Sequence, residues 1–481
     1  MMSRVLKAIP LGLLVGIAGL SISFFPLSHD LEEDWGLGLL FKLRGARPAP
    51  SDVVVVSIDK ESSEHLNVPN NPDKWPRSLH ARLVEKLAAQ GAKVITFDVH
   101  FIEPRTAKDD NLFSAAIKKA GNVVLAEPLA PKEVAVSHDG ASDAAVHNIV
   151  NTVQPIDLFA RPAAATAPFV LPRIPFKVNQ YWTFQTGAAD SPTFPTIAFQ
   201  LFAEQIYGDF IHLLEQVSPG QAKKLPRSIA GAIKTSDLKT VMREIRDVFE
   251  SEPSLAERML ERLERSGGAS TDARKQRLLQ SLVKMYGGAN RRYVNYYGPP
   301  RTVATLPFHQ ALQPGENGGR KPTDLKGKAV FVGLSEKLLA ERKDSFYTVF
   351  SQANGVFIGG VEIAATAFSN LLEDKPVQPI SQRFYILLIL LGGVFVGVIC
   401  RMLPMALAAP AVVVSAVVYL IAAEYRFKAD GVWYPLVVPL FFQAPLGFFG
   451  AVLWNYVETN KERQRIRKAL AFYVPDEVVA Q

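Results

Sequence analysis

Cysteine is almost missing from this chain. A single one, Cys400, stands in an apolar run, so no intrachain disulfide can form and any exported part must be held by its core. Paired-cysteine metal motifs are excluded with it. Signatures of nucleotide and hydrolase chemistry are missing too: there is no P-loop, no G-x-S-x-G elbow and no H-E-x-x-H. The glycines of "GGAN" and "GENGG" lack the strand and helix that a phosphate cradle requires. Charge is short only locally. Between Phe384 and Val457 few charged residues occur, and the sequence assigns them to short turns. The whole chain of 481 residues carries a net charge of +7. That excess is scattered except for "KERQRIRK", Lys461 to Lys468, a basic run of the kind expected beside a membrane span, so no nucleic-acid partner is expected.

Long apolar runs are what the chain has instead. Four stretches approach the roughly 20 residues needed to span a bilayer: Ala8 to Phe25, Phe384 to Cys400, Met405 to Ala423 and Val432 to Val457. The first has no small-residue cleavage site after it and reads as a retained anchor rather than a signal peptide. Arg4 and Lys7, Arg401, and the basic run fall on one side only if all four cross and both termini are cytoplasmic. "EYRFKAD" then becomes an outer loop. The expected organisation is a cytoplasmic N-terminus and first span over 1–27, an exported domain over 28–381, three spans over 382–457 and a cytoplasmic segment over 458–481. A bacterial inner-membrane location, with a large periplasmic domain, follows as the expectation.

The exported stretch reads as α/β. "DVVVVSID" is a continuous apolar run of strand length, the type buried on both faces of a parallel sheet. "RSLHARLVEKLAAQG" then gives a helix with Ser78 as N-cap and Gly91 as stop, and "AKVITFDVHF" a second strand. Strand, helix and strand with short joins form a right-handed βαβ unit. "DDNLFSAAIKKAG" and "NVVLAE" repeat the pattern, "GKAVFVGLSEK" adds a late strand, and "GGVEIAATAFSNLLED" closes with a helix. Charged helical sequence over 204–290 reads as an insertion packed on the sheet, with Leu255, Met259 and Leu263 on one face and Leu278, Leu279 and Leu282 on another. "VAVSHDGASDAAVH" reads as an exposed loop.

Ligands of such sheets sit beyond the carboxyl ends of the strands. Asp59 ends the first strand, Asp98 the second with His100 just after it, Gly333 and Ser335 follow the late strand, and Asp344 stands a short loop further on. Together they would make a carboxylate-rich crevice for a cation, an amine or a hydroxylated small ligand. The same aspartates could instead cap the loops and helices that follow them. Arg77 is a pair for one of these carboxylates or a surface residue. His80 and His100 lack metal-like spacing, so no metal is expected from them.

The blocks "DVVVVSIDKES", "WPRSLHARLVEKLAAQGAKVITFDVHF", "RYVNYYGPPR", "LKGKAVFVGLSEKLLAERKDSF" and "NGVFIGGVEIAATAFSNLLE", followed by three spans, resemble the second type of CHASE domain. That family is the extracellular sensory module of bacterial signalling receptors, whose outputs include nucleotide cyclases, histidine kinases and Ser/Thr kinases. The resemblance covers roughly Leu31 to Ile380. It departs at "FVLPRIPFKVNQYWTFQ", in the long insertion, and at "SFYTVFSQANG". The closing "RKALAFYVPDEVVAQ" is similar to the segment joining membrane-proximal helix to catalytic domain in class III nucleotide cyclases. What the resemblance implies is an input module for an adenylate/guanylate cyclase, a homodimer, an unknown periplasmic ligand, and signal transmission through Arg463, Arg467, Tyr473 and Pro475. Magnesium and ATP or GTP would enter only with a following cyclase domain; these 481 residues should make no cyclic nucleotide. A stand-alone membrane sensor or scaffold and the input half of a kinase receptor are the rival readings. An exported hydrolase using Asp59, Asp98 and His100 would lack a nucleophile.

Overall fold

Valine runs build the sheet. Strand β1, Val53–Ile58, is buried at all positions because its β-branched side chains point alternately to two covered faces. Val53 and Val55 join one core, with the helices Phe194–Phe202 and Gly360–Glu373; Val54, Val56 and Ile58 join another, with the helices Arg77–Ala89 and Ala107–Ala120. Each fully buried valine contributes about 1.5–3 kcal/mol of transfer free energy. The other strands are β2 (Val94–Asp98), β3 (Val123–Glu127), β4 (Ala165–Pro168), β5 (Thr305–Pro307) and β6 (Ala329–Leu334). Their spatial order is β5-β1-β6-β2-β3-β4, and every neighbouring pair is parallel. These features belong to a computed structural model, which describes residues 2–136, 145–171, 177–188, 190–229, 237–267, 272–313, 323–336, 345–351 and 357–470.

The late strand is therefore central, wedged between the first two. Ser57 and Asp98 both align with Gly333, so three carboxyl ends meet at one place. Gly333 has no alternative there: a Cβ would lie 2.7 Å from that of Val361 and 3.0 Å from that of Asp98.

The chain folds as two units, Gly45–Pro376 and the pair Met1–Arg44 with Val377–Gln481. Residue 28, where the exported domain was expected to begin, falls inside the helix Pro26–Leu31 of the second unit. Within Gly45–Pro376, the helices Tyr207–Val217, Leu238–Ser251, Leu255–Gly267 and Ala273–Gly287 share the core of the sheet's Val53/Val55 face. Lys239 also reaches the end of β3, where its Nζ donates to buried Glu127 at 2.6 Å.

Three local expectations are corrected. Ser78 is not the N-cap: the helix begins at Arg77 after Pro76, whose fixed φ of −56° already directs the chain, and no side chain caps it. The flanks of "VAVSHDGASDAAVH" are not loop but an antiparallel hairpin, Leu129–Val136 with Ala145–Thr152, in which Val134 faces His147. "EYRFKAD" is not a loop either. It completes the helix Met405–Asp430, which Gly431 ends with a positive φ of 70°.

Among its described residues the other unit has three helices long and apolar enough to cross a membrane, Gln382–Met402, Met405–Asp430 and Val438–Ala469. A fourth span is available if Ala8–Ser23 and Pro26–Arg44, bent by 88°, count as one. The helix Met2–Ser23 and the helix Gln382–Met402 approach backbone to backbone, with Gly12 and Gly16 against Gly393 and Gly397; a Cβ at Gly393 would collide with the Gly16 backbone. This is small-residue packing as used between membrane helices. Buried Glu32 accepts from the amides of Leu436 (2.6 Å) and Val437 (2.7 Å), just before the last span. Arg401, in the last turn of the helix Gln382–Met402, pairs with Glu458 further along the last span.

Candidate functional site

Asp59 follows β1 and is 4% exposed. Its Oδ1 accepts from the Ser62 amide at 2.9 Å and so caps the helix Lys60–Leu66; its Oδ2 accepts from Ser57 Oγ at 2.8 Å. The same Oδ2 accepts from Arg301 Nη2 at 3.0 Å. Arg301 also donates Nη2 to the Ser335 carbonyl at 3.3 Å, and its amide to Glu362 Oε2 at 2.6 Å. Ser335 Oγ donates to Glu362 Oε1 at 2.5 Å. Arg301, Ser335 and Glu362 thus close a ring at the ends of β1 and β6, and Asp59 joins it through Arg301. Burial pushes the Glu362 carboxyl above its ordinary range, against the pull of Ser335 and Arg301.

Asp98 stands beside this ring, half-buried at the end of β2, with Oδ2 close to Gly360 in the first turn of the helix Gly360–Glu373. A carboxylate at a helix N-terminus is favoured by the helix dipole. His100 is exposed just beyond it. Arg77 is not with them. It lies buried on the Val54/Val56 side of the sheet, its guanidinium 4.4 Å from the centroid of Phe101, with Nε and Nη1 lacking hydrogen-bond partners among the described residues. Desolvation, reinforced by the Arg105 charge, lowers it to about 10, with Asp110 and Asp73 opposing. The rings of Trp75, Phe97, Phe101, Phe113 and Phe308 surround His80 in the same core. So Asp59, Ser335 and Gly333 meet at adjoining strand ends with Asp98 next to them, while Arg77 is a core cation. Asp344, Tyr473 and Pro475 lie outside the described residues; Arg463 and Arg467 are exposed on the helix Ala444–Leu470.

Arg301 and Glu362 were not singled out by sequence reasoning. Arg301 closes the block "RYVNYYGPPR", and that block is stapled along the Gly360–Glu373 helix. Asn295 N donates to Asn370 Oδ1 at 2.8 Å, Asn370 Nδ2 returns a bond to the Asn295 carbonyl at 3.1 Å, and Tyr297 hydroxyl donates to Glu373 at 2.8 Å. The visible signal was the pair of blocks itself, one rich in tyrosine and proline, the other apolar with isolated Glu and Asn.

Fold and site together define a parallel α/β module with an internally paired ionic ring at its strand ends, followed in sequence by apolar helices. The family model described as CHASE2 domain matches residues 12–399, and the chain belongs to that family. CHASE2 is a sensory domain of signalling receptors. No curated protein and no solved structure matches the chain.

Proposed function

We propose that the chain is the input half of a transmembrane receptor whose exported Gly45–Pro376 unit senses a ligand and whose output is an adenylate/guanylate cyclase. The observation that carries the sensory part of this reading is the extent of the family match; the cyclase output rests on the resemblance of the closing "RKALAFYVPDEVVAQ" alone. The match begins inside the first apolar helix and runs almost to the end of the helix Gln382–Met402, so sensory and membrane segments belong to one family unit. Four spans with both termini in the cytoplasm would put Arg4, Lys7, Arg401 and "KERQRIRK" on one side, which the positive-inside rule favours. We place the ligand site at the strand ends, on Asp59, Asp98, Gly333 and Ser335, with exposed His100 just after Asp98 and Asp344 in the following segment of sequence. Arg77 serves that site only through packing beneath the sheet. Homodimerisation suits a cyclase output, since two catalytic domains pair.

Expression of the gene's whole reading frame in a cyclase-deficient bacterium tests the output. Accumulation of cyclic AMP or cyclic GMP is the expected result. Autophosphorylation without cyclic nucleotide would move the output to a kinase, and neither product would leave a non-catalytic sensor.

A further inference from the structure

Three side chains with metal-binding atoms meet at the carboxyl ends of β1 and β5. Glu61 and His65 are four residues apart on the helix Lys60–Leu66 and so share a face. His309 comes from the helix Phe308–Leu312, which follows β5 directly. One ligand atom from each lies within 4.8 Å of the other two, and the two imidazole rings stack at 4.4 Å with 12° between planes. Glu61 Oε1 is 3.8 Å from His309 Nε2.

We infer that Glu61, His65 and His309 form a binding site for a divalent transition-metal cation of the zinc class. Imidazole and carboxylate suit such ions, whereas calcium and magnesium take oxygen ligands. The support behind the ligands is also what a metal site needs. His309 Nδ1 is 3.1 Å from Ser62 Oγ, so in the Nδ1–H tautomer the Nε2 lone pair is turned toward Glu61. Ser62 is itself held through its amide by Asp59, which ties the site to the Arg301 ring. Bonds of about 2.0–2.2 Å set neighbouring ligand atoms roughly 3.4 Å apart in a tetrahedron. The exposed side chains of Glu61 and His65 can close that difference by changing rotamer. Three protein ligands leave a coordination position open to water or to a small donor molecule. A bound ion would clip the elements following β1 and β5, two neighbouring strands of the sheet.

The full chain, tag-free and chelator-treated in detergent micelles, should bind one equivalent of Zn²⁺ by calorimetry. With Co²⁺ it should show the visible absorption of a low-coordinate N/O site, and Zn²⁺ should raise its melting temperature. Glu61→Gln and His65→Gln, both at exposed positions, should each weaken Zn²⁺ by about ten-fold or more, and Ser62→Ala by about 10–100-fold. Circular dichroism of the variants verifies that they fold. Absence of saturable binding by the native chain would overturn the proposal, as would unchanged affinity in the folded Glu61→Gln/His65→Gln double variant.

Discussion

Arg301 occupies a backbone conformation that its side chain makes worthwhile. Its φ of 65° is left-handed, which costs a non-glycine residue roughly 1–2 kcal/mol, yet only there do its amide reach Glu362 and its guanidinium reach Asp59. Removing the guanidinium leaves Asp59 buried with two neutral donors, and loss of one partner of a buried ion pair costs about 3–5 kcal/mol. Arg301→Ala should therefore destabilise the protein by nearly that much. Arg301→Gly should be milder by about 1 kcal/mol, because glycine accepts the positive φ. Denaturant unfolding of the two variants side by side checks the order. His80 makes a separate prediction. Burial among aromatic rings, with the Arg77 and Arg105 charges adding, pushes its imidazole down to about 3 from an ordinary 6.5. A depressed histidine gives stability that is present above pH 6.5 and lost as the pH falls toward 3, since the unfolded chain takes up a proton that the folded one refuses. The loss from this one group is about 1.4 kcal/mol per pH unit. His80→Leu should flatten the acid side of the stability curve by that slope, read as unfolding free energy at successive pH values below 6.5.

Helix pairs show where sequence patterns are read easily and where they mislead. The glycines at 12, 16, 393 and 397 repeat at four-residue spacing, and their meeting leaves no room for a side chain. Gly393→Leu should cost about 1–3 kcal/mol through forced separation of the two helices, seen as a lower melting temperature in micelles, whereas Gly392→Ala, 3.4 Å from the Gln443 side chain, should be close to neutral. The four long strands β1, β2, β3 and β6 were legible because each is a β-branched or apolar run buried on both faces. β4 and β5 were not. "ATAP" and "TLP" are only four and three residues, each ends in proline, and both lie at sheet edges, where proline costs no ladder bond. "EYRFKAD" misled for another reason: charge marks the polar end of a long helix as readily as a loop.

For the whole molecule, composition separates a mixed α/β part, expected over 28–381, from apolar parts, whereas the fold divides the chain at Gly45 and Pro376. What composition could not convey was pairing at a distance. That β6 lies between β1 and β2, that Arg301 meets Asp59 across 242 residues, and that His309 meets His65, are consequences of strand order, which no local pattern encodes. The carboxylate of Glu32 is the farthest-reaching of these pairings, 404 residues from Leu436. Sliding the root of the last span along its axis would break two hydrogen bonds to the buried Glu32 carboxyl group, worth about 0.5–3 kcal/mol each. Turning it about that axis would break them as well, because the two amides sit off the axis at successive positions along the chain. The Glu32 carboxyl group therefore pins the root against both movements, and the 32 residues from Val438 to Ala469 lead from that fixed point, through a π-helical first stretch, to the basic run at the far end.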